Sequence, residues 1–208
     1  MSAGKFIALE GGEGAGKSTQ ARLLAEALWA RRIDVLLTRE PGGTPGAEAI
    51  RELLLHPPGE GWNVAAEALL FAAARSDHVE RAIKPALQAG RWVVCDRFLD
   101  SSRAYQGGAG GIGDEGVLAL HRIGSGGLLP DLTLLIEVNR AMADARLSGR
   151  DGMSTDAIGG RGDGYHANVA AAFARMAQSD PARFVRIDGN EDAHAVHERI
   201  LQAIEPLL

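Results

Sequence analysis

The 208-residue chain has a single cysteine, no run of lysine and arginine, and no apolar stretch approaching membrane-spanning length. Each scarcity excludes something. A lone cysteine cannot form an internal disulfide. Cys95 lies in the apolar run Trp92-Val93-Val94-Cys95 and reads as a small buried hydrophobe rather than a nucleophile. With a formal net charge of −5 and no basic stretch, the chain lacks the face a polymeric nucleic acid needs. A few focused arginines can still hold single phosphates. No membrane partner is expected. Met1 to Phe6 lacks the apolar core of a signal peptide, so a cytoplasmic protein is expected.

What is present suits one α/β domain over residues 1–208. Hydrophobic residues make up 46% and charged residues 24%, ordinary globular usage. Short apolar runs predict strands at Phe6–Leu9, Ile33–Leu37, Trp92–Cys95 and Leu132–Val138, with a weaker one at Phe184–Ile187. Helical periodicity covers Lys17–Arg32, Ala47–Leu55 and Val64–Leu87, the last bending or restarting at Pro85. Further helices are expected near 115–124, 140–148, 165–178 and 192–205. This alternation predicts a five-stranded parallel sheet with helices on both faces. Ser148–Gly164 resists assignment: six glycines, three aspartates and two arginines, with no apolar period. On composition it is a plain surface loop; in the context below it reads as a mobile, glycine-rich lid over about 148–164.

That context is Gly11-Gly12-Glu13-Gly14-Ala15-Gly16-Lys17-Ser18, followed by Thr19, which fits the P-loop pattern between a strand and a helix. Glycines let backbone N–H groups converge on phosphate oxygens, and the helix N-terminus adds a favourable dipole. Lys17 would reach the β- and γ-phosphates of ATP, and Ser18 would ligate Mg²⁺. Asp96, at the end of the third strand, would complete the metal shell, with Arg97 beside it to hold an acceptor phosphate. The N-K-x-D signature that reads guanine is absent. The pattern points to a P-loop phosphotransferase acting on a small acceptor.

Four more segments bear on the acceptor: Thr38-Arg39-Glu40-Pro41-Gly42-Gly43; Phe71-Ala72-Ala73-Ala74-Arg75; Asp96-Arg97-Phe98 with Ser101, Ser102 and Ala104-Tyr105-Gln106-Gly107; and Pro130-Asp131-Leu132. In this order after the P-loop, they resemble the thymidylate kinase family in its bacterial form over nearly the whole chain. The likeness is weakest in the lid and the last thirty residues. It implies a nucleoside-monophosphate-kinase fold, dTMP and ATP as substrates, Mg²⁺, a place in dTTP biosynthesis, and a homodimer. The apolar faces of helices 64–87 and 115–124 would serve as its interface.

Spacing places Phe71 and Arg75 on one helix face, which by itself suggests a core aromatic and a surface cation. The resemblance makes them a stacking plane for thymine and a donor to its O4. It also assigns the acceptor phosphate to Arg97, assisted by Arg39 in the segment shared with Glu40. Tyr105 would pack under the deoxyribose, and Ser101, Ser102 and Gln106 would lie near base or sugar. Glu13 would face the 3′-hydroxyl. Because no basic residue precedes Lys17 in the loop, the catalytic cation is expected from the lid, from Arg146, Arg150 or Arg161. The family's lid Asp-Arg pair is replaced here by Asp156-Ala157. The alternative reading is another small P-loop nucleoside or nucleoside-monophosphate kinase.

Overall fold

The computed structural model describes residues 4–148 and 161–208. Five parallel strands form one sheet: β1 (Phe6–Glu10), β2 (Val35–Arg39), β3 (Trp92–Asp96), β4 (Leu132–Glu137) and β5 (Phe184–Asp188), in the order β2-β3-β1-β4-β5. β1 is central, with Leu9 opposite both Asp96 of β3 and Leu134 of β4. The P-loop and Asp96 therefore emerge side by side at the carboxyl ends of neighbouring strands, where ligands bind in open α/β sheets.

Alternation along β1 sends its side chains into two cores. Ile7 and Leu9 join Leu24 and Leu28 of α1 (Lys17–Ala30) with Val196 and Ile200 of α9 (Ala193–Ile204). Phe6 and Ala8 join Val79, Ile83, Phe98 and Val117 on the opposite face. Both faces are covered, as continuous apolar strands require. Cys95 is fully buried in the second core, and burial pushes its thiol well above the usual range, consistent with an inert hydrophobe.

The helices between are α2 (Pro45–Leu55), α3 (Val64–His78), α4 (Lys84–Gln88), α5 (Leu99–Ser102), α6 (Asp114–Ser125), α7 (Arg140–Ser148) and α8 (Asp163–Ser179). Three stretches differ from expectation. The single helix expected over 64–87 is interrupted by a π-helical turn at Val79–Ile83, so the break lies before Pro85, which sits comfortably in the first turn of α4. β2 begins at Val35, not Ile33, because α1 is closed by Arg31, Arg32 and Ile33, whose N–H groups turn back onto its last carbonyls. The stretch after β3 is helical, with α5 running into a second π-helical segment, Arg103–Ala109. Of the expected lid, residues 149–160 lie outside the described residues, while Asp163 and Gly164 belong to α8. No described helix is long and apolar enough to cross a membrane.

Candidate active site

The phosphate cradle depends on glycine at specific points. Gly11 and Gly14 have φ of 141° and 69°. A Cβ on Gly11 would lie 2.3 Å from the Ile136 carbonyl, and one on Gly14 2.7 Å from that of Ala143. Gly16 precedes α1 in a left-handed conformation and offers no side-chain cap, so the first N–H groups of α1 remain open to an anion. Lys17 folds back to donate to the Gly12 carbonyl at 2.6 Å. Burial, aided by the charge of Arg97, pushes its ammonium down to about 8.

Ser18 Oγ donates to Asp96 Oδ2 at 2.5 Å. Asp96 Oδ1 is buried, with no hydrogen-bond partner among the described residues. A hydroxyl and an unsatisfied buried carboxylate oxygen beside a phosphate cradle form a hard oxygen donor set, and they fit a divalent cation such as Mg²⁺.

From this pair a cavity of about 350 Å³ runs to Phe71 and Arg75, and all ten residues expected from sequence to meet the acceptor line it. Arg97 sits in its middle with φ 68°, a conformation that strains any residue bearing a Cβ. Its side chain is held by Gly11 O, Ser101 Oγ and Glu13, the last at 2.7 Å, with its guanidinium over the Tyr105 ring. Burial works to raise the Glu13 carboxyl, but Arg97 and then Lys17 outweigh it and hold it below the usual range. Burial pushes the Tyr105 phenol up to about 12, so it stays neutral. Arg39 lies at the exposed rim, paired with Glu48 at 3.2 Å.

Arg75 is not a surface cation. It is 3% exposed, donates from Nε to Glu40 at 2.7 Å, and from Nη2 to Ser102 Oγ and the Phe98 carbonyl. Glu40 also accepts from Nδ1 of fully buried His78, whose Nε2 meets Thr38 Oγ1 at 2.7 Å. Gly43 abuts this ring: a Cβ there would come within 2.5 Å of His78 Nε2.

The lid arginines separate. Arg146 points to the outer side of the P-loop, donating to the carbonyls of Ala15, Gly189 and Glu191. It lines a second cavity of about 500 Å³, together with Gly14, Ala15, Gly16, Thr19 and the Asn190–Ala193 turn. Arg161 is on the acceptor side, bound to Glu67 and to the Tyr165 hydroxyl and stacked on the Tyr165 ring. Arg150 lies outside the described residues.

Four residues here carry no signal in the sequence pattern. Arg51 lines the cavity and His78 supports Glu40 from behind it, both from helices whose periodicity shows only packing. Glu67 looks like an ordinary acidic residue in a first helical turn. Glu10 ends an apolar strand, yet it is fully buried and accepts from Phe98 N, Ser101 N and Ser101 Oγ. Burial and the neighbouring Asp100 push its carboxyl up to about 7.

A family model for thymidylate kinase matches residues 9–200. The chain is 55% identical over 205 residues to a thymidylate kinase from Rhizorhabdus wittichii, covering 99% of each chain. It is 52% identical over 209 residues to one from Gluconobacter oxydans, covering 99% of this chain and 96% of that one. A crystal structure of thymidylate kinase from Ehrlichia chaffeensis superposes with a TM-score of 0.76 at 30% identity, over 98% of this chain and 100% of the other. Matched in sequence over nearly its whole length and in fold, the chain belongs to the thymidylate kinase family.

Proposed function

We propose that the chain transfers the γ-phosphoryl group of MgATP to dTMP, giving ADP and dTDP in the cytoplasmic synthesis of dTTP. The observation that carries this reading is the continuity of one cavity. It runs from Ser18 and Asp96, past Arg97, to the Phe71–Arg75 face. Phosphate-directed groups lie at one end and an aromatic plane with a buried guanidinium at the other, a nucleotide's length of chemistry. The second cavity, beside Arg146, would seat the adenine of ATP.

The acceptor oxygen needs no strong base, because a phosphate monoester's second pKa is about 6 and the nucleophile is already ionised. Arg97 holds and orients that phosphate. Lys17 and the open N–H groups of α1 hold the donor phosphates in line with it. Catalysis is then positioning and charge neutralisation. Ser18 and Asp96 would hold Mg²⁺, which when bound neutralises charge on the β- and γ-phosphates. Tyr105, buried beneath Arg97, would close the space a 2′-hydroxyl needs.

Leu69 of α3 and Ile123 of α6 are 55% and 85% exposed, which supports a homodimer through this face. Loss of the dimer in Ile123→Glu, followed by light scattering, tests it. The activity is tested by coupled ADP release with dTMP, dUMP, dCMP and thymidine. Rapid turnover of dTMP, slower turnover of dUMP and little of the others is expected. Equal rates for dTMP and thymidine would overturn the reading.

A further inference from the structure

Glu67 is 6% exposed, although it lies in the first turn of α3, where an acidic residue usually faces water and serves the helix dipole. Burying a carboxylate is unfavourable unless it is paired. Here two donors from separate parts of the chain converge on it. Gln106 Nε2, from the Arg103–Ala109 segment, donates to Oε1 at 2.9 Å, and Arg161 donates to Oε2. Arg161 is itself fixed by stacking on Tyr165, whose hydroxyl donates to the Tyr105 carbonyl.

Gln106 is 1% exposed and lines the acceptor cavity. Its amide can present either an acceptor or a donor to a ligand, and nothing in the amide decides which. The chain of partners does. A guanidinium only donates, so Glu67 must accept from it. A carboxylate has only acceptor atoms to offer, so Gln106 must turn its NH₂ toward Glu67 and its carbonyl toward the cavity. Thymine and uracil carry an N3–H that such a carbonyl can take. Cytosine carries a bare N3 that would face it as a second acceptor.

We propose that Glu67 is a positioning residue for base selection, setting the polarity of the Gln106 amide, and that Arg161 enforces this from the far side. The inference rests on the dTMP reading of the cavity. It gives Arg161 a role on the acceptor side, distinct from delivering charge to the transferred group.

The test exploits an inversion. In Glu67→Gln, the atom facing Arg161 must still be an oxygen, so the new NH₂ faces Gln106. The Gln106 amide then flips and offers NH₂ to the cavity. The ratio of kcat/KM for dUMP over dCMP should fall by about tenfold or more, since an unpaired buried polar group is exchanged between the two substrates. The dTMP over dUMP ratio should hold, because the methyl is read elsewhere. In Glu67→Gln with Arg161→Ala, the new amide is free to turn, and the dUMP over dCMP preference should recover. Arg161→Ala alone should leave that preference intact. A merely structural role for Glu67 would make the double variant worse than the single, and that outcome, or an unchanged ratio in a folded Glu67→Gln protein, would overturn the proposal. Should Glu67→Gln not fold, Glu67→Asp with Gln106→Ala as reference decides: the preference must persist in the first and fall by about tenfold or more in the second, where only Arg75 still reads the base. If the wild-type protein turns over neither dTMP nor dUMP, the dTMP reading itself has failed.

Discussion

Glu13 and Arg97 meet at 2.7 Å across the acceptor cavity, one from the P-loop and the other from the turn after β3. On the proposed reading, the loop that would cradle the donor's phosphates also steers the side chain that would hold the acceptor's phosphate. The left-handed backbone of Arg97 is held by its N–H donating to the Leu9 carbonyl and its carbonyl accepting from Cys95 Sγ, while Gly11, Glu13 and Ser101 grip the guanidinium. Arg97→Ala removes a desolvated charge and should lower kcat/KM for dTMP by about 30-fold to several thousand-fold, equivalent to 2–5 kcal/mol. Steady-state kinetics with a thermal melt as a folding control measures this.

Lys17 should make nucleotide binding pH-dependent. Its ammonium is held down to about 8 by burial and by Arg97. Donor phosphates favour the charged form, so binding raises that value and takes up a fraction of a proton when pH exceeds about 8. Affinity for ATP should weaken as pH rises past this point, by at most about tenfold per unit. Calorimetry at pH 8.5 in two buffers of different ionisation enthalpy reads the proton directly. Lys17→Ala should show no uptake and no phosphoryl transfer while melting normally.

Glu10 should make stability fall with rising pH. Its folded carboxyl stands at about 7 against an ordinary 4.5, so the native state binds the proton more tightly than the unfolded chain. The resulting stabilisation is full below about 4.5 and is lost as pH climbs through 7. Between pH 5.5 and 8, the melting temperature of wild type should drop relative to Glu10→Gln, with a difference on the order of 1–3 kcal/mol. Parallel melting curves would exclude a protonated Glu10.

Removing Glu40 strands Arg75, a buried cation with no other carboxylate bonded to it among the described residues. Glu40→Ala should cost about 3–5 kcal/mol in urea unfolding, far more than a rim substitution such as Glu48→Ala, whose exposed pair with Arg39 contributes about 0–1 kcal/mol.

The three lid arginines should separate kinetically. Arg146→Ala, from the second cavity, should raise the KM for ATP. Arg161→Ala should raise the KM for dTMP. Arg150→Ala should lower kcat, as for a cation that meets the transferred group mainly in the transition state. A fall in kcat confined to Arg146→Ala would move the catalytic charge there.

The parts legible in the sequence are those in which a local pattern carries the physics. Glycines bounding Phe6–Leu9 reveal the first strand and the cradle, and spacing puts Phe71 and Arg75 on one helix face, which the family resemblance, not the spacing, assigns to the cavity they line. The Glu40–His78 contact joins residues far apart in sequence, and no periodicity announces it. Pro85 drew the expected break to itself, whereas the π-turn that relieves the helix lies a turn earlier. Beside the second cavity, Arg146 is held by the backbone carbonyls of Gly189 and Glu191, which leave no residue code. Arg75 reads as a surface residue by helical spacing alone, because the carboxylate that lets it be buried comes from another segment.

The contact between Gly14 and Ala143 limits how this enzyme can change. The loop is wedged under the first turns of α7, with no volume for any side chain at position 14. A basic residue introduced there cannot take over charge delivery unless α7 first backs away, and that movement would also drag Arg146 from its three carbonyls. An evolutionary path relocating the catalytic charge into the loop therefore crosses a valley in which donor binding is weakened before the new charge is useful.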